Sequence, residues 1–183
     1  MSYEAKLAAL QDDYQRERRK LISTEVMEIL LRIFPAVLVA QADGFTDTTE
    51  VQRLEEIVTF LCKEKNVAAS AWDWTAELRY LAVDADFWRA PFLDTLKSLL
   101  HEKPELYYQQ AEFLYATAAA STGDVVRNLL LRFQRRDPLK QEKVEFISDK
   151  ERMEIERLVE ALDFAAVPEA LNYLRSLLDQ SHA

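Results

Sequence analysis

The sequence predicts an all-α fold: a single helical-bundle domain over residues 1–183, of about seven to nine helices, containing two pseudo-repeated helical hairpins. Three observations carry this. Apolar residues recur at helical spacing through most of the chain. Two glycines and five prolines in 183 residues leave little material for β-hairpin turns or for the glycine-rich turn of a dinucleotide-binding fold. The two glycines also fall at matching places. Gly44 closes the apolar segment ending Val39-Ala40-Gln41-Ala42-Asp43, and Gly123 closes the one ending Ala119-Ala120-Ser121-Thr122. A glycine this scarce marks a position just past a helix, where the backbone needs positive φ.

The elements follow in order. Residues 3–21 form a polar helix with Leu7, Leu10, Tyr14 and Leu21 on its inner side. Thr24 starts the next helix, whose inward positions are Val26, Ile29, Leu30, Ile33, Val37 and Leu38. Pro35 lies inside it, removes a backbone donor and predicts a kink. Asp47-x-x-Glu50 reads as a capping box, followed by the stripe Val51, Leu54, Ile57, Val58 and Leu61. Ala71-Trp72-Asp73-Trp74 opens another helix. Asp84-Ala85-Asp86 stops it, and Pro91 is placed in the first turn of the next, which carries Leu93, Leu96, Leu99 and Leu100. Lys103-Pro104-Glu105 is a second stop and start, leading into a helix over 105–121. Pro168 opens the last helix, with Leu171, Leu174 and Leu178 inward, and the tail from Asp179 is read as frayed.

The repeats span 24–61 and 105–164. Phe34 falls on Phe113, Ala40 on Ala119 and Gly44 on Gly123, at an offset of 79. Beyond the glycines Glu50 falls on Glu151, Leu54 on Ile155, Ile57 on Leu158, Val58 on Val159 and Leu61 on Leu162, at an offset of 101. The second repeat therefore carries 22 extra residues, the insertion falling within 124–146. Val125, Val126, Leu129, Leu130 and Phe133 make its first part, 124–136, a further amphipathic helix. Ser148-x-x-Glu151 then repeats the cap.

Composition narrows the function. With 49% hydrophobic and 30% charged residues the chain is globular. A net charge of −9 argues against nucleic acid as partner and suits a cationic one. Two basic clusters stand out. Arg16, Arg18, Arg19 and Lys20 form one, and Arg132, Arg135, Arg136 and Lys140 the other; each reads first as a solvated face or as helix-end charge. Arg132, Arg135 and Arg136 are the candidate protein-contact residues. Cys62 is the single cysteine and reads as a buried, inert thiol. The N-terminus is too polar for a signal peptide, and Ile29–Ala40 is too short to span a bilayer, so the chain is read as cytoplasmic and not itself a membrane protein.

No zinc-protease motif, phosphate loop or nucleophile elbow is present, and no catalytic residue is assigned. The best candidate site is the loop Asp43-Gly44-Phe45-Thr46-Asp47-Thr48-Thr49-Glu50. Asp43, Asp47 and Glu50 present oxygen ligands of the kind Ca²⁺ or Mg²⁺ takes. The alternative is that Asp43 and Asp47 satisfy backbone donors of the turn. In the second repeat Thr122 and Ser148 replace the two aspartates, so the acidic cluster belongs to the first. Asp12, Asp13, Asp84 and Asp86 are further acidic candidates. Trp72, Trp74, Trp88, Tyr107 and Tyr108 read as core or helix-junction fillers.

Val39-Ala40-Gln41-Ala42-Asp43-Gly44-Phe45-Thr46-Asp47-Thr48-Thr49-Glu50 resembles the Ala-Asp-Gly-x-x-(Ser/Asp)-x-x-Glu signature of the TerB-like proteins. These are the tellurite-resistance TerB group and the related domain of DjlA-type membrane co-chaperones. Ala119-Ala120-Ser121-Thr122-Gly123 with Ile147-Ser148-Asp149-Lys150-Glu151 is similar to the same signature, split by the insertion. The resemblance covers roughly residues 24–164. It implies an all-helical domain with two pseudo-symmetric halves and a non-enzymatic role in bacterial stress response. It further implies an acidic surface that binds a divalent metal or docks other proteins, among them membrane-associated resistance or chaperone components. Only Asp43, Asp47 and Glu50 carry over to that surface. Two other readings stay open: a scaffold that uses the inserted helix 124–136 without metal, and an enzyme working through acidic residues in a helical cleft.

Overall fold

A computed structural model describes residues 1–44, 48–119 and 147–180, and every regular element among them is helical. In chain order they are α1 (Tyr3–Arg18), α2 (Thr24–Ala42), α3 (Thr48–Glu64), α4 (Trp74–Val83), α5 (Ala85–Glu102), α6 (Leu106–Ala118), α7 (Asp149–Ala161) and α8 (Pro168–Gln180). Single 3-10 turns at Ala69–Ala71 and Phe164–Ala166 precede α4 and α8.

Side-chain caps set four of the starts. Ser2, Ser23 and Asp73 accept from the amides of Ala5, Val26 and Ala76 at 3.4, 3.3 and 3.0 Å. Ser148 and Glu151 form the reciprocal capping box that their spacing predicts, with bonds of 3.2 and 3.0 Å. Left-handed residues set several of the stops. Arg19, Asn66 and Asp163 take φ of 50°, 55° and 58°, and Gly44 takes 92°. After α3 the Val67 amide donates to the Cys62 carbonyl at 2.8 Å and the Asn66 amide to that of Lys63 at 3.3 Å, the paired bonds of a Schellman stop.

Helix α2 is the centre of the bundle. Every residue from Ile29 to Ala40 is buried, because α1, α3, α4, α5, α6 and α7 all pack on it. A helix apolar all round has to be enclosed in this way. It is a single helix through Pro35. Helix α6 is its counterpart: Tyr107 and Gln109–Ala118 are buried, against α2, α3, α7 and α8. Residues aligned between the repeats are buried alike. Phe34 and Phe113, Leu54 and Ile155, Ile57 and Leu158, and Leu61 and Leu162 are each no more than 1% exposed.

Several expectations need correction. Pro91 is not in a first turn: α5 begins at Ala85, and Pro91 is its seventh residue. The position is solvent-exposed, so the Phe87 carbonyl left without a helical donor can be met by water. Leu21 is 87% exposed rather than inward, because α1 ends at Arg18 and the left-handed Arg19 redirects the chain. The last helix continues past Asp179 to Gln180.

Half of the first basic cluster departs from a solvated face: Arg16 and Arg19 are exposed, while Arg18 and Lys20 turn to Glu77. The Glu77 side chain is completely buried and accepts from Tyr14 Oη at 2.8 Å, from Arg18 Nε and Nη2 at 3.2 and 3.0 Å, and from Lys20 Nζ at 2.8 Å. Arg18 also lies over the Tyr80 ring at 4.0 Å and Lys20 over Trp72 at 4.2 Å. Burial by itself would raise the Glu77 carboxyl; the bonds from Arg18, Lys20 and Tyr14 hold it below the ordinary carboxylate range. Tyr14 in turn packs on Trp88 and Phe92, which joins α1 to α5. A second polar tie joins α2, α3 and α6. Arg32, only 1% exposed, donates to Glu64 at 2.6 and 3.3 Å and to Gln109.

Candidate acidic site at the shared end of the repeats

The end of α2 is fixed by backbone geometry. The Gly44 amide donates to the Gln41 carbonyl at 2.9 Å, and Gly44 turns the chain at a φ of 92°. Asp43 caps this end with φ −98° and ψ 3°, its side chain exposed. Helix α3 starts four residues beyond the glycine. Its Arg53 donates to the Thr117 carbonyl in the last turn of α6 at 3.2 Å. That bond ties the start of the first repeat's second helix to the end of the second repeat's first helix.

The α7 capping box completes this end of the molecule. Glu151 is 7% exposed. Burial raises its carboxyl above the ordinary range; the bonds with Ser148 oppose the rise, the charge of Asp43 adds to it, and Arg53 opposes it. Asp43 from one repeat therefore sits close enough to Glu151 from the other for their charges to interact. From its spacing to Ser148, Glu151 is a capping residue and nothing more. Its nearness to Asp43 comes from the packing of α7 against α2, which no local pattern encodes.

Of the candidate residues, Asp43 is described in full. Asp47, the side chain of Glu50, Arg132, Arg135, Arg136 and the whole inserted helix 124–136 lie outside the described residues. Among the described residues no group of three or more His, Cys, Asp or Glu side chains is placed to hold a metal ion. Asp43 and Glu151 alone offer fewer oxygens than the six to eight that Ca²⁺ typically takes. Asp13 pairs with Arg16 at 3.3 Å, and Asp86 lies exposed in the first turn of α5. Trp74, Trp88 and Tyr107 are buried fillers, Trp72 is half-buried under Lys20, and Tyr108 is exposed against Tyr173. Cys62 is 1% exposed, and burial pushes its thiol up, away from the reactive thiolate.

A groove of about 500 Å³ lies where α7 meets α8, with Glu156, Glu160, Asp163, Arg157 and Arg175 on its walls. Beside it His101 contacts Asp163 at 3.0 Å. Among the described residues no helix is long and apolar enough to cross a membrane. Comparison with protein-family models, with curated proteins and with solved structures gave no match to this chain.

Proposed function

We propose that this chain is a non-enzymatic, TerB-like binding module of a bacterial stress response, acting as an adaptor. Its acidic end, where α2, α3, α6 and α7 meet, takes a divalent cation or a basic group of a partner protein. The observation that carries the reading is the opposition of Asp43 and Glu151. Two carboxylates of separate helices act on one another here, Glu151 largely buried and Arg53 the cation beside it, and a further positive charge would ease the repulsion that Arg53 leaves. Asp47 and Glu50 are the further oxygen donors that the resemblance to the TerB-like signature implies. With a cation bound, the module would present a rigid, charge-neutralised helix junction to its partner.

Calorimetric titration with Ca²⁺, Mg²⁺ and Zn²⁺ tests the metal form. Binding to the wild type that is lost in the double substitution Asp43→Asn, Asp47→Asn supports it. No heat, or affinity unchanged in the double variant, removes the metal and leaves only the basic-partner form. That form is tested by chemical-shift mapping with a Lys-rich peptide. Shifts should centre on Asp43, Arg53 and Glu151, and shifts spread over the whole acidic surface would count against it.

A further inference from the structure

We draw no further inference here: the strongest candidate, the groove between α7 and α8 walled by Glu156, Glu160, Asp163, Arg157 and Arg175, carries charges of both signs and nothing in the structure shows what covers it.

Discussion

Glu77 allows the balance of charges in the fold to be tested with a reversal of sign. Its carboxylate has no solvent exposure, and its two cationic partners, Arg18 and Lys20, have side chains 24% and 42% exposed. Removing the acid therefore differs from removing the bases. Glu77→Gln keeps the shape and an acceptor for Tyr14, and it releases two cations that can turn to water. Loss of the charge-assisted bonds should cost about 1–2 kcal/mol once their partial exposure is discounted. Arg18→Ala with Lys20→Ala instead leaves a buried carboxylate with Tyr14 as its one remaining donor, a cost of about 3–5 kcal/mol. In that background Glu77→Gln removes the stranded charge and should stabilise. The same substitution thus destabilises the wild type and stabilises the double variant. The pH dependence should reverse as well. In the wild type the carboxyl is held low, so its contribution is present above the unfolded-state value of about 4.3 and is lost as pH falls through the folded value. In the double variant burial dominates and raises it, so stability should fall as pH rises from about 5 to about 8. Urea unfolding followed by tryptophan emission is the assay, since Trp72 lies under Lys20 and Trp88 packs on Tyr14. If Glu77→Gln destabilises in both backgrounds, the carboxylate is not stranded and the reasoning fails.

Three further outcomes are expected. Glu64→Ala strands the buried Arg32 guanidinium with Gln109 alone and should cost about 3–5 kcal/mol. Arg32→Met leaves Glu64, whose side chain is 37% exposed, free to hydrate and should cost less; equal losses in urea melts would contradict this asymmetry. Gly44→Ala meets no atom within 4 Å, so any loss is backbone strain at a φ of 92°, about 1–2 kcal/mol; an unchanged melting temperature would refute it. Asp43→Asn removes a charge that raises the Glu151 carboxyl, and should move its titration midpoint down in a carboxyl-detected NMR titration. Because a raised carboxyl weakens the fold above the ordinary carboxylate range, the same substitution should add stability at neutral pH. A midpoint that stays put would separate the two residues.

Local chemistry made much of the fold legible. Ser148 with Glu151, and Pro168, each announce a helix start through groups that act within one turn, and each start is found; the run Ala71-Trp72-Asp73-Trp74 also opens a helix, which begins at Trp74. Pro91 misled because proline favours first turns, while α5 had already started six residues earlier, directly after α4 ends at Asp84. Gly44 ends its helix at positive φ as its scarcity predicts, but glycine is not the only residue that does so. Arg19, Asn66 and Asp163 also turn left-handed, where the surrounding chain over-determines the stop. The Glu77 cluster left no local trace. Its partners lie 57 to 63 residues away, and helical periodicity sorts residues only by face, not by which distant charge they meet.

The candidate site shows the same boundary between local and tertiary information. Motif and capping chemistry singled out Asp43 and, separately, Glu151, each within its own repeat. What brings them together is that α2 packs on α6 while α3 and α7 each pack on both. The turn of one repeat thereby comes to lie beside the cap of the other. A duplicated hairpin that pairs in this way places its two equivalent ends at one pole of the domain, and residue changes in either copy alter a single shared site. With Thr122 in place of the second aspartate, the negative charge at this pole comes unequally from the two repeats. A cation held there would be drawn toward the Asp43 side. The second repeat's part is the buried carboxyl of Glu151, which its own helix start already holds in position.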